Sequence, residues 1–287
     1  MSQPLTAGTR VNRYDLFLVY LRSFLLQSAW NFERGLNYGF AFALAPVLRK
    51  LYLESERPRS FQRHLEYFST QPYLGAFILG AVVRMEIERA QADPSEGQRR
   101  AEEIHALKVG MMGPVAAMGD SLFWATYRPF CAILAVGLAF SGALPSGKYV
   151  LLAPLVFLLV YNAGHLGIRT LGFQQGLLLG DQVVLSLRKY GFQEATQGLR
   201  LAASLALGVL IVLVNRPQDG PNPELFLLKM TFFGAVMALY TFALRKKVGP
   251  SQVFYGVVLF ALLLAYWPKL YGQTGAVGGF FPLMTPP

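Results

Sequence analysis

The residues best equipped for chemistry fall in three short stretches of the 287-residue chain. "WNFERGLNYGFAFAL" sets Trp30, Asn31, Glu33, Arg34 and Asn37 against an apolar run. Glu33 and Asn37 stand four residues apart, a spacing that shares one face if the segment is helical. "RHLEYFSTQPYLGAFILG" brings Glu66 and Gln71 up to Pro72, which opens an apolar segment too short to span a bilayer. "KVGMMGPVAAMGDSLFWATYRP" carries Asp120, Ser121 and Arg128 in an apolar setting broken by Gly110, Gly113, Pro114 and Gly119. Carboxylates, amides and an indole are what a sugar site uses: acceptors for hydroxyl protons and a flat apolar face for the ring. Asn31, Glu33, Asn37, Glu66, Gln71, Asp120 and Ser121 are therefore the candidate sugar-contacting residues. Arg34 and Arg128 are candidate structural partners. The alternative for each residue is a buried structural hydrogen bond or an ion pair, for instance Asp120 with Arg128.

Other chemistries find little support. His64, His105 and His165 fit no metal-binding spacing, so no metal and no cofactor is expected. One cysteine, Cys131, allows neither a disulfide framework nor a cysteine metal site. Gly110 and Gly113 are not followed by the Gly-Lys-Ser/Thr ending of a phosphate loop. Neither a Ser/His/Asp order nor paired carboxylates can be read from the chain, so no catalytic residue of its own is expected.

These stretches must be positioned by elements suited to a membrane. The chain is 54% hydrophobic and 15% charged, with mean hydropathy +0.39. Soluble domains average about 25% charged residues. The net charge of +10 does not imply nucleic acid, because the basic residues flank apolar segments and form no aromatic-interleaved stripe.

Two regions emerge: residues 1–128, with most of the acids and punctuated amphipathic segments, and residues 129–287, rich in spans. The N-terminal "MSQPLTAGTRVNRYDLFLVYLRSFLL" lacks a signal-peptide core with a cleavage site and reads as an interfacial helix on the membrane lipid. Five spans are expected at about 129–144, 149–167, 200–215, 227–244 and 251–267. Basic residues gather in alternate connections, at Arg169, Arg188, Lys189 and Arg200, then at Arg245, Lys246 and Lys247. That bias places the N-terminus in the cytoplasm and the C-terminus outside. An acid and helix breakers at membrane depth survive where they line a cavity or are buried in protein, so a re-entrant hairpin is expected over 108–129. Gly172, Gly176 and Gly180 recur every four residues and form a smooth face, for packing within the chain or against a separate subunit. The fold class is thus an all-α integral membrane protein, with interfacial and re-entrant helices before about five transmembrane helices.

At the three opening stretches the chain resembles the IID component of the mannose-family phosphotransferase system. "WNFERGLNYGFAFALAPVLRKLY", "RHLEYFSTQPYLGAFILG" and "KVGMMGPVAAMGDSLFWATYRP" look like that family's blocks, in the same order, and "GIRTLGFQQGLLLG" and "LRKKVGP" are similar to its later segments. The resemblance covers roughly residues 28 to 265. It implies a permease subunit in the bacterial inner membrane that pairs with a IIC subunit in an oligomeric complex to form the path for a hexose or amino sugar. It also implies IIA and IIB partners that carry the phosphoryl group, which the IID subunit does not. The competing expectation is a membrane scaffold or sensor that keeps this fold without transporting.

Overall fold

The computed structural model describes residues 11–140, 151–214 and 223–271. Among them the secondary structure is helical apart from two isolated bridges. Two compact units divide the chain, Met1–Gly208 and Val209–Pro287.

Helix α1 (Arg13–Arg22) starts at a reciprocal cap: the Asn12 side chain accepts from Asp15 N–H, and the Asp15 carboxylate accepts from Asn12 N–H. Asp15 is buried and also meets Lys50 Nζ at 2.7 Å, which ties α1 to α2 (Asn37–Leu51). The opposite face of α1 exposes Tyr14, Phe17 and Leu21, continued by Phe24 and Leu25 in a 3₁₀ turn. An apolar exposed face at helical spacing is what an interfacial helix presents to lipid. A short α3 (Arg57–Gln62) follows, with Pro58 in its first turn where a missing N–H costs nothing.

Helix α4 (Gly75–Gln91) is the centre of the first unit, buried along most of its length and packed against α2, α5 (Gly97–Gly119) and α7 (Leu152–Leu179). Its contact with α7 depends on glycine. A Cβ on Gly80 would stand 2.3 Å from the Phe173 carbonyl oxygen, and one on Gly176 would stand 2.3 Å from that of Phe77. A Cβ on Gly172 would stand 2.6 Å from the Phe77 ring. The glycine face expected at 172–180 therefore packs within the chain.

After α5 the chain continues through a π-helical segment, Asp120–Tyr127, directly into α6 (Arg128–Phe140). The hairpin expected over 108–129 is not formed. The interruption takes the form of wider helical turns, in which each carbonyl pairs five residues on and no reversal of direction is needed. The helical run Pro94–Phe140 is 47 residues, about 70 Å at 1.5 Å per residue, so its charged first part extends beyond a bilayer core of about 30 Å.

Among the described residues three helical runs are long and apolar enough to cross a membrane: Pro94–Phe140, Leu152–Leu187 and Phe192–Val214. The second was expected to end near 167; α7 instead runs to Leu179 and breaks at Gly180, whose φ of +57° suits glycine. Helix α8 (Val183–Lys189) completes that run, and α9 (Phe192–Val214) is the third. Helices α10 (Pro223–Arg245) and α11 (Pro250–Tyr271) contain the shorter apolar stretches Lys229–Ala243 and Ser251–Phe260. The sparsely charged connections near 145–148 and after 215, and the tail beyond the last helix, lie outside the described residues.

Candidate functional site

Two loops and the π segment hold the candidate residues. In the first loop Asn31 and Gly35 exchange backbone hydrogen bonds of 3.1 and 2.9 Å, and Asn31 Oδ1 accepts from Arg34 N–H at 2.8 Å. Gly35 has φ +66°, and a Cβ there would meet the Phe68 carbonyl oxygen at 2.6 Å. That close approach lets Leu36 N–H donate to Phe68 and Phe68 N–H donate to Arg34, stitching the first loop to the second. Asn31 Nδ2 donates to Asn37 Oδ1 at 3.0 Å, and Asn37 Nδ2 donates to the Leu65 carbonyl at 2.7 Å. With Asn37 only 1% exposed, both amides hold the loops together.

The shared Glu33–Asn37 face is not present, because Glu33 lies in the turn and the helix begins at Asn37. Glu33 is exposed, 3.5 Å from Arg34 Nε, in a surface pair that contributes little. The same turn carries Trp30 edge-on to Phe32 at 4.7 Å, with Phe32 94% exposed.

The second loop ends at Gln71, whose Oε1 accepts from Tyr73 and Leu74 N–H at 2.8 and 2.9 Å and so fixes the turn that leads into α4. The Gln71 stem lies where a Cβ on Gly119 would be, 2.6 Å away, which explains the glycine just before Asp120. Asp120 is exposed at the head of the π segment. Among the described residues no ion pair joins it to Arg128, whose guanidinium stands 5.8 Å from the centre of the Trp124 ring. Ser121 is part-buried, and its carbonyl accepts from Thr126 Oγ1 at 2.8 Å.

The π segment packs on Tyr73, with ring centroids 5.1 Å away for Phe123 and 5.7 Å for Trp124. Tyr127 donates to the Val160 carbonyl of α7 and fills the space that Gly164 leaves open. From α7, Arg169 reaches Ser23 Oγ at 3.1 Å, with the rings of Phe24 and Tyr73 4.5 and 5.5 Å from its guanidinium carbon. The structure thus unites Gln71, Asp120 and Ser121 at one junction, with Asn31 and Asn37 bracing the loops that lead to it.

Glu66 is elsewhere. It pairs with His105 Nδ1 at 2.7 Å and lines a charged cavity of about 480 Å³ with Arg59, Arg63, Arg89 and Glu102. Beside that cavity lies a group the sequence did not single out. Glu86 is fully buried and accepts from Tyr52 Oη at 2.5 Å, His64 Nε2 at 2.9 Å, and Arg63 Nη2 and Nε at 3.0 and 3.2 Å. Burial by itself would raise the Glu86 carboxyl; the hydrogen bond from His64 and the charge and hydrogen bonds of Arg63 overcome it and hold it at about 2. Burial pushes the His64 imidazole down, and the cations Lys108 and Arg63 add to that. His64 is therefore a neutral donor, with Arg63 as the counter-charge. No local pattern distinguishes Glu86 from the neighbouring Arg84 and Glu88, so only the fold reveals it.

Membrane-length apolar helices, one of them interrupted by a π segment with a carboxylate at its head, define a helical integral membrane protein. Residues 10–215 match the family of the PTS system mannose/fructose/sorbose family IID component. The chain is 35% identical over 272 residues to the mannose-specific EIID component of Escherichia coli K12, covering 88% of this chain and 92% of the relative. It is 29% identical to the fructose permease IID component of Bacillus subtilis, covering 90% and 96%. One chain of a solved mannose transporter ManYZ–microcin E492 complex is similar to it at 31% identity and TM-score 0.53, over 94% of this chain and all of that one. A second solved membrane protein is similar at 32% identity and TM-score 0.67, over 91% and 98%. The chain belongs to the IID component family of the mannose-type phosphotransferase system.

Proposed function

We propose that this chain joins a IIC membrane subunit to build the path along which a hexose or amino sugar enters the cell, to be phosphorylated by IIB with phosphoryl groups relayed through IIA. Relatives named for mannose, fructose and sorbose support a sugar as the cargo. The observation that carries the reading is Asp120: an exposed carboxylate, without a cation partner among the described ion pairs, at the interruption of a membrane-length helix. Ionisable groups at that depth are costly and mark substrate paths. Gln71, Ser121 and the Trp124 ring supply the neutral partners beside it, while Asn31 and Asn37 hold the loops, Arg34 lies in the first of them and Arg128 faces the Trp124 ring. Glu33 and Glu66 stay with the proposal only as surface groups open to the IIC subunit.

In this reading residues 1–128 form the interfacial and cytoplasmic-side part and residues 129–287 the membrane part. The protein sits in the bacterial inner membrane with its N-terminus inside and its C-terminus outside. The basic residues Arg245, Lys246 and Lys247 after α10 support that orientation.

The test is sugar affinity and complex yield, measured together, for Asp120→Asn and Asp120→Ala in the complex with IIC. Asn keeps an acceptor but loses the charge, a difference of about 1–2 kcal/mol, or about 5–30-fold in affinity, with the complex intact. Unchanged affinity in an intact complex removes Asp120 from the path. Loss of the complex in both variants makes it structural.

A further inference from the structure

Along α7, Tyr161, Asn162, His165 and Arg169 recur at three- and four-residue spacing, forming a polar stripe on a membrane-length helix. The stripe meets the junction described above. Tyr161 and Tyr73 share a hydroxyl–hydroxyl hydrogen bond of 3.0 Å, His165 stacks on the Tyr73 ring at 4.6 Å, and Tyr127 of the π segment stacks on Tyr161 at 5.8 Å.

Two of the buried polar atoms without a hydrogen-bond partner, His165 Nδ1 and Gln71 Nε2, belong to residues that touch Tyr73. His165 Nε2 lies 2.8 Å from Asn162 Oδ1, which can only accept, so Nε2 carries the proton and Nδ1 presents a lone pair. Gln71 Oε1 is fixed by two backbone donors, so its Nε2 presents N–H, and the residue is 2% exposed. One is an unpaired acceptor and the other an unpaired donor. Buried polar groups are normally paired, and a membrane chain has little reason to leave such orphans around one tyrosine. Hydroxyl groups both donate and accept, so they complement this pair. Arg169 is 3% exposed, its Nη1 bonded to Ser23 and its guanidinium faced by two aromatic rings, while its Nε is a further buried donor without a partner.

We infer that the α7 stripe is part of the sugar path, with Asn162 and His165 as hydrogen-bonding residues for a neutral polyhydroxylated ligand. The inference rests on the sugar-permease reading and extends it to an element outside the three opening stretches. His165 is held against the Tyr73 ring and Gln71 by the Tyr73 backbone N–H, so both groups meet at this one residue.

The experiment titrates D-mannose, D-fructose and L-sorbose by calorimetry into the purified complex of this chain with its IIC subunit. The unmodified complex is compared with Asn162→Leu and His165→Phe. The first replacement is nearly isosteric, and the second keeps a ring to stack on Tyr73, so folding is preserved while the hydrogen-bonding atoms are removed. Each variant is expected to weaken binding about 3–10-fold, the range of one neutral hydrogen bond, with unchanged yield of the complex. Unchanged affinity in both variants overturns the inference. So does loss of the complex in both, which assigns the stripe to subunit contact. Failure of the unmodified complex to bind any of the three sugars is a separate result, and it overturns the permease reading itself.

Discussion

Glu86 shows how a single residue can hold this fold together. Its carboxylate is out of water, yet it accepts four hydrogen bonds from three side chains, and Arg63 balances its charge. Removing one partner of such a pair costs about 3–5 kcal/mol, because the other stays buried without it. Glu86→Gln should therefore lower the thermal midpoint and folded yield of the detergent-purified chain; an unchanged midpoint would show the network to be dispensable. The same group sets a pH dependence. His64 is depressed below its ordinary 6.5, so the unfolded chain binds its proton first and stability is complete above about pH 6.5 and declines as pH falls. Glu86, depressed from 4.5 to about 2, adds a second loss only as pH drops through that lower range. Denaturation between pH 7 and 5 should show a slope of at most about 1.4 kcal/mol per pH unit from His64. His64→Gln should flatten it, and an equal slope in that variant would place the titration elsewhere.

Helices α4 and α7 are joined by backbone approach, which glycine alone permits. Gly176→Ala would set a Cβ 2.3 Å from the Phe77 carbonyl oxygen, and neither backbone can yield. Overpacking of this kind costs about 1–3 kcal/mol. Gly167, on the same helix, has nothing within 4 Å of its Cβ position, so Gly167→Ala should be neutral or stabilise by about 0.5–1 kcal/mol. Equal midpoints for the two variants would refute the packing account. The four-residue glycine repeat made this face legible in the sequence, though not which surface it would meet. The interruption near Asp120 was legible too, from Gly113, Pro114 and Gly119. Its form was not: breakers announce a departure from the α-helix but do not distinguish a turn from a π segment, which depends on Tyr73 and Gly164 packing around it. Asn31 and Asn37 read as ligand-facing amides because sequence shows polarity without partners; the fold supplies partners, Asn37 for Asn31 and the Leu65 carbonyl for Asn37.

At the scale of the whole molecule, composition, span length and ordered sequence blocks were enough to identify a helical membrane protein of the IID family, and the family comparison agrees. What sequence could not expose were long-range meetings. Arg169 binds Ser23 across 146 residues, and Glu86 gathers partners from the chain segments that follow α2 and α3. The central claim is that this chain completes a sugar path with IIC. It is tested most directly by phosphoenolpyruvate-dependent uptake in cells that lack their own route for D-mannose, D-fructose and L-sorbose, supplied with IIA, IIB and IIC, with and without this chain. The account predicts accumulation of sugar phosphate only when this chain is present, and equal accumulation in its absence would contradict it.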